Sequence, residues 1–347
     1  MTDAVIECRD VWKLFGSRAW AALAAIRNEG LEKNEILRRF DCVVGIAGVD
    51  LVVRRGEIFC IMGLSGSGKS TLVRQINRLI EPTVGQIIVN GEDIGTKSMA
   101  ELRRLRSEKM GMVFQNVALL PHRTVRENIA FGLELRGWAK EQRLTVAEQK
   151  LCLVGLEGYG DRYPHHLSGG MQQRVGLARA MAADPDILLM DEPFSALDPL
   201  IRRQLQDQFL ELSARLRKTT VFVTHDLDEA IRLGDRIAIM RDGRIVQIGT
   251  PSEIVRGPRD AYVADFVKGV SRLNLVMAGE IMEPIPAASG NGSLDLSCCP
   301  RANVSDHLHK LVGLAATSDE PILILADGRE VGLVTKRQLL RSIQGNG

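Results

Sequence analysis

The stretch Gly63-Leu64-Ser65-Gly66-Ser67-Gly68-Lys69-Ser70 constrains this chain more than any other. It fits the pattern G-x-x-x-x-G-K-[ST] in full. Ahead of it runs Glu57-Ile58-Phe59-Cys60-Ile61-Met62, a short apolar run that reads as a buried strand. Behind it, residues 71–80 set apolar side chains at helical spacing. The pattern falls between a strand end and a helix start, where its chemistry needs it. Glycines let the backbone curl closely round an anion. Successive N–H groups and the helix N-terminus then face phosphate oxygens. Lys69 can reach the β- and γ-phosphates of a nucleotide, and Ser70 can set its hydroxyl on Mg²⁺. The competing reading is a glycine-rich turn that happens to precede a helix. The strand, the Lys-Ser pair and the helix together argue against it.

At 347 residues the chain is too long for one small domain and suits a large domain plus a lesser one. Its hydrophobic share of 45% and charged share of 25% are those of a globular protein rather than a disordered one. A net charge of +2 gives no electrostatic reason to expect a nucleic-acid partner. No apolar run approaches the roughly 18 residues of a membrane span. The first residues lack the basic and apolar regions of a signal peptide, so a cytosolic location is expected. The six cysteines have neither metal-ligand spacing nor a disulfide framework and read as reduced thiols.

Along the chain, residues 5–11 alternate weakly as a strand does, and residues 17–41 turn Ala-rich and then charged, which predicts two short helices about Gly30. Strand character returns over 43–53, 86–89, 110–114, 186–191 and 219–224. Helices are expected over 99–109, 171–181, 199–217 and 227–233, with a broken helical stretch from Gln115 to about Gly155. Arg241-Asp242-Gly243 is a hairpin signal between 237–240 and 243–248. This alternation predicts a mainly parallel α/β core. The reading changes at 269–275. A loop-like patch follows, rich in Pro284, Pro286, Ser289, Gly290, Asn291 and Gly292. Then come a helix over 304–314, strands over 321–325 and 331–334, and a helix over 335–343, a small α/β unit of its own.

Further chemistry sits at strand ends. Ile187-Leu188-Leu189-Met190-Asp191-Glu192 closes a buried strand with two carboxylates. Asp191 is placed to hold Mg²⁺, directly or through water. Glu192 is the neighbour that can orient and activate an attacking water. Gln115 ends another apolar strand and can reach the metal or that water. His225 follows Val221-Phe222-Val223-Thr224 and is a candidate for the γ-phosphate, although a lone His there also caps or faces solvent. Leu167-Ser168-Gly169-Gly170-Met171 opens a helix, with Ser168 as N-cap and exposed N–H groups beyond it, a second anion site. One chain cannot easily use both anion sites on one nucleotide, which suggests two chains, each closing the other's site.

Residues 63–70, Gln115, 167–171, 188–192, Ser195-Ala196-Leu197-Asp198 and His225 occur in the order found in ATP-binding subunits of ABC transporters, and the chain resembles that family. Leu79-Ile80-Glu81-Pro82-Thr83, Asp198-Pro199-Leu200-Ile201-Arg202, His225-Asp226-Leu227-Asp228-Glu229-Ala230 and the insertion 17–41 resemble the glycine betaine, proline and choline importers in particular. The resemblance implies a P-loop NTPase cassette with a mainly parallel sheet, an antiparallel β subdomain and a helical subdomain over residues 1–271. A small CBS-like α/β domain over 272–347 is shorter than the paired unit of related importers, with a ligand-binding, packing or dimerisation role.

It implies ATP and Mg²⁺ as cofactors. Gly63, Ser65, Gly66, Ser67, Gly68, Lys69, Ser70 and Thr71 bind the nucleotide, and Phe15 is the candidate to stack on adenine. Ser168, Gly169, Gly170 and Asp198 come from the other chain. Glu192, His225, Lys69 and Gln115 are the catalytic set, and Ser70, Gln115 and Asp191 the metal set. The implied partners are a second copy, a membrane permease received over 115–137 and an extracytoplasmic binding protein, with no nucleic acid. The implied place is the cytoplasmic face of the cell membrane. The rival readings are an importer of amino acids or phosphonates, a soluble ABC ATPase outside transport, and a kinase using the phosphate-binding loop alone. The last leaves 167–171 and His225 unexplained.

Overall fold

The computed structural model describes residues 3–115, 117–195, 197–268, 276–285, 296 and 298–344, without the side chains of 214–216 and 344. Ala196, residues 269–275 and the loop-like patch from Pro286 to Gly292 lie outside the described residues. The chain divides into two compact units, Met1–Thr250 and Pro251–Gly347.

In the first unit, β1 (Ala4–Phe15) and β2 (Val43–Arg54) flank α1 (Ala19–Glu29) and α2 (Lys33–Phe40). The two helices of the insertion break at Gly30, whose left-handed φ of 68° caps α1. Ala22, Leu23 and Ile36 bury their stripe against Trp12, Leu14 and Val44 of the strands. Then come β3 (Ile58–Gly63), α3 (Lys69–Ile76), β4 (Val84–Val89), β5 (Glu92–Asp93), α4 (Met99–Lys109) and β6 (Met110–Val113). Three helices follow: α5 (Val125–Leu135), α6 (Lys140–Leu153) and α7 (Gly169–Ala182). The unit closes with β7 (Ile187–Asp191), α8 (Pro199–Leu216), β8 (Thr219–Thr224), α9 (Leu227–Leu233), β9 (Arg236–Arg241) and β10 (Arg244–Gly249).

Two sheets result. One is antiparallel, in the order β2-β1-β4-β5. The other runs β10-β9-β3-β8-β7-β6 and is parallel except for β10. β3, β7 and β8 are buried along their whole length, as strands covered on both faces must be. Helix α3 touches strands of both sheets. Its Leu72, Val73 and Ile76 join Ile61, Val221 and Val49 in one core. The helix that carries Lys69 is thus held from both sides. Helices α5, α6 and α7 pack on one another.

The second unit holds α10 (Pro251–Arg256), α11 (Ala261–Val267), α12 (Ala278–Ile281), β11 (Arg301–Asn303), α13 (Leu308–Thr317), β12 (Ile322–Ala326), β13 (Arg329–Val334) and α14 (Lys336–Gln344). Its sheet runs β11-β12-β13, and Ala302, Leu308, Leu311, Ile322, Ile324 and Val334 form a core of their own.

Two helices differ from expectation. The helix expected to reach 80 ends at Ile76, because Arg78 takes a left-handed φ of 54° and the Asn77 side chain accepts from the Leu79 N–H at 3.1 Å. The helix expected from 304 begins at Leu308. The Val304 N–H instead donates to the Leu325 carbonyl at 3.0 Å, and the Asp306 carboxylate turns the chain by accepting from the Asn303 N–H at 2.7 Å.

Candidate functional site

Parallel strands β3, β8, β7 and β6 lie side by side and end together, which puts whatever follows them along one edge. After β3 comes the glycine-rich loop, after β8 His225, after β7 Glu192 and after β6 Gln115. Register sharpens this: Met62 pairs with Thr224, Asp191 with Val223 and Val113 with Met190.

The loop has its shape because two of its glycines admit no side chain. A Cβ on Gly68, at φ 104°, would lie 2.5 Å from the Gly45 carbonyl oxygen. One on Gly63 would lie 2.3 Å from that of Met240. The Gly243 N–H donates to the Ser67 carbonyl at 3.0 Å, so the β9–β10 turn braces the loop from behind. Lys69 Nζ donates to the carbonyls of Gly63 at 2.8 Å and Leu64 at 3.0 Å. Burial lowers its pKa, and the nearby Glu192 and Asp191 carboxylates pull it back up. Ser67 Oγ is buried with no hydrogen-bond partner, a donor aimed into a loop that suits an oxyanion. Ser65 and Gly66 are exposed at the crest, and Thr71 is half-buried in the first turn of α3.

Ser70 Oγ donates to Asp191 Oδ1 at 2.7 Å, and Arg74 Nη2 approaches Oδ2 at 3.2 Å. Asp191 is fully buried. A hydroxyl beside a buried carboxylate is a hard-oxygen pair of the kind Mg²⁺ takes. Glu192 follows in a left-handed conformation, φ 49°, with its N–H donating to the Val223 carbonyl at 3.1 Å. That turn swings its carboxylate across the neighbouring strand ends. Oε2 accepts from Gln115 Nε2 at 3.2 Å, and Oε1 lies 3.2 Å from His225 Nδ1. Gln115, Glu192, His225, Lys69, Ser70 and Asp191 therefore form one connected cluster.

The remaining candidates stand apart from that cluster. Ser168 caps α7, accepting from the Met171 N–H at 3.3 Å, and Ser168 and Gly169 are exposed. Asp198 caps α8, accepting from the Ile201 N–H at 3.0 Å. Leu197 joins these two places, since a Cβ on Gly170 would come within 2.9 Å of its Cδ2. Among the described residues, no hydrogen bond or ion pair links 168–170 or Asp198 to the chain's own loop 63–70. Phe15 closes β1 with its ring against Gly45, the residue that also walls Gly68, and Lys13 Nζ lies 5.1 Å from the ring centre. Sequence reasoning missed Arg74. Its signal was its place four residues after Ser70, on the same helix face.

The ABC transporter family profile matches residues 46–195, a span that includes the loop, Gln115, the 167–171 stretch and both carboxylates. The glycine betaine transport ATP-binding protein OpuAA of Bacillus subtilis is 55% identical over 278 residues, covering 80% of this chain and 66% of that protein. The glycine betaine/proline betaine transport system ATP-binding protein ProV of Escherichia coli is 52% identical over 281 residues, covering 81% and 70%. This chain belongs to the ABC transporter family of ATP-binding subunits. Its cassette also resembles a dimeric post-hydrolysis state of the ATP-binding cassette MJ0796 bound to ADP and Pi, with TM-score 0.61 and 30% identity over 71% of this chain and 98% of that one. Among the described residues of this ABC subunit, no helix is long and apolar enough to cross a membrane.

Proposed function

We propose that this ABC subunit hydrolyses ATP to drive an importer of quaternary amines: glycine betaine, proline betaine or choline. The observation that carries the hydrolytic part is the junction of Gln115, Glu192 and His225 beside Lys69, Ser70 and Asp191. In this reading the loop N–H groups and Lys69 hold the β- and γ-phosphates. Glu192 accepts the proton of the attacking water, Gln115 aligns that water and His225 steadies the γ-phosphate. Ser70 and Asp191, with Gln115, would hold Mg²⁺, which would neutralise phosphate charge. Phe15 carries the adenine ring on its exposed face.

The separation of Ser168, Gly169, Gly170 and Asp198 from the chain's own loop favours a homodimer in which each chain completes the other's site. A permease docks on 115–137 at the cytoplasmic face of the membrane, and an extracytoplasmic protein delivers the solute. Residues 1–271 are then the ATP-binding domain and 272–347 a CBS-like appendage. Glycine betaine and proline betaine rest on the relatives named above, and choline on the importer resemblance of residues 79–83, 198–202 and 225–230.

Glu192→Gln tests the hydrolytic part. It keeps shape and removes the base, so turnover should fall by roughly 10²–10⁴-fold while ATP still binds. A nucleotide-dependent dimer should then accumulate on size-exclusion chromatography. Full turnover refutes the assignment. For the solute, the reconstituted complex should respond to glycine betaine and choline in its ATPase rate. A response to amino acids or phosphonates alone selects the rival importer.

A further inference from the structure

We propose that Arg202 is a positioning residue that fixes the turn after β7 against His225, and so ties the chain's own hydrolytic end to the surface it offers a partner's nucleotide. The proposal rests on the composite-dimer reading above.

Arg202 lies in the first turn of α8, and its guanidinium has two holds. Nη2 donates to the Leu197 carbonyl at 3.2 Å, and Nη1 lies 3.4 Å from Asp226 Oδ2. Leu197 immediately precedes Asp198, and Asp226 immediately follows His225. Asp226 is itself fixed, since its N–H donates to Thr224 Oγ1 at 3.0 Å and its Oδ1 accepts from the Glu229 N–H at 3.2 Å. At the other end of the turn, Ser195 Oγ donates to the Glu192 carbonyl at 3.0 Å. Glu192 reaches His225 at 3.2 Å. The contacts close a ring: Glu192, two residues on to the Phe194 carbonyl, which accepts from the Leu197 N–H at 3.2 Å, then across Arg202 to Asp226 and back through His225 to Glu192.

The ring has one outward branch. The Leu197 side chain is buried and abuts Gly170 at the N-terminus of α7. A shift of His225 or Glu192 at this chain's nucleotide is therefore felt at the Ser168–Gly170 surface that meets the partner's. A planar guanidinium suits this task, because it donates in two fixed directions at once. The side chains of Arg202 and Asp226 are 30% and 38% exposed, and the melting temperature of each variant gives the stability part of the pair directly. Turnover and melting measured on the same variants separate positioning from folding.

The test uses the full-length dimeric ATPase with Arg202→Met, Asp226→Asn and the double variant. Methionine keeps the apolar stem and loses both holds. Asparagine keeps the cap on α9 and loses the charge. Binding of a fluorescent ATP analogue to the loop and the melting temperature should stay at parent values. In each single variant kcat should drop about tenfold, the loss of the charged Arg202–Asp226 link that both variants break, and the Hill coefficient for ATP should fall toward one. The double variant should be no slower than the worse single, because both changes break the same link. Parental kcat and cooperativity in both singles overturn the proposal, as do additive losses in the double or a kcat loss that tracks a lowered melting temperature. A parent without cooperative ATPase instead refutes the dimer reading beneath it, so the two failures are distinct.

Discussion

Lys69 already has two carbonyl partners, Gly63 and Leu64, and burial depresses its pKa. In the proposed function phosphate oxygens compete for the same ammonium, so its removal strips the site of its main cation. Lys69→Ala should lower ATP turnover by roughly a hundredfold or more. Steady-state hydrolysis by the assembled subunit measures this. Glu229 makes a pH prediction. Burial pushes its carboxyl above the ordinary glutamate range, against hydrogen bonds from Thr224 and Gln206 that pull it down. The unfolded chain then gives up this proton at lower pH than the folded one, so stability falls as pH rises above the ordinary glutamate value. Glu229→Gln still accepts from Gln206, whose Nε2 lies 2.8 Å away. The variant should melt a few degrees higher at neutral pH, the response of a domain this size to about 1 kcal/mol. It should match the parent in acid, as melts along a pH series will measure. At this scale Lys69, Ser70, Asp191 and Glu192 were legible because each sits in a motif. Arg202 was not, because its acceptors come from separate strand ends and meet only in the folded chain.

Elements set where motifs end up. Ser168, the cap of α7, and Gly169 are exposed, with Gly170 against Leu197. Ser168→Arg places a bulky cation on the surface assigned to the partner's γ-phosphate. Nucleotide binding at the loop should persist within about twofold, and hydrolysis should fall roughly a hundredfold. Equilibrium binding beside turnover separates the two. Strand ends were readable because buried parallel strands are continuous apolar runs, as in Ile187-Leu188-Leu189-Met190. Hairpins were readable from Asp242-Gly243, whose φ values of 51° and 81° are those of a two-residue primed turn. The start of α13 was not readable. Val304 is apolar at helical spacing, yet β12 claims its N–H for the sheet.

For the whole molecule, every candidate catalytic and binding residue lies within Met1–Thr250. The second unit has its own core, from Val276 and Ala302 to Val334 and Leu339. Deleting residues 273–347, a cut outside the described residues, should leave maximal ATP turnover within about twofold, since separate cores can be separated. If the tail pairs with its twin, the protein concentration that half-saturates activity rises on deletion, because effective concentration is lost. If it senses solutes or salt, the response of transport to those flattens instead. Turnover against protein concentration and transport across a salt series distinguish the two. Loss of all turnover in a folded truncation refutes the independence of the first unit. Length and the change in composition at 269–275 predict a large and a small domain, and the structure divides the chain between Thr250 and Pro251. The composite site proposed above has only two anion motifs as its signal in the sequence, which one nucleotide cannot easily use together.

Glu192 occupies a backbone region that side chains with a Cβ enter at a cost of about 1 kcal/mol or more. Glycine would sit there without strain. With Glu192 as the base of the proposed hydrolysis, selection for durability and selection for turnover pull this codon in opposite directions. A lineage freed from the demand to hydrolyse should drift toward glycine or asparagine at 192 while the rest of the cassette stays intact. A glutamate retained there is the mark of a copy still held to its work.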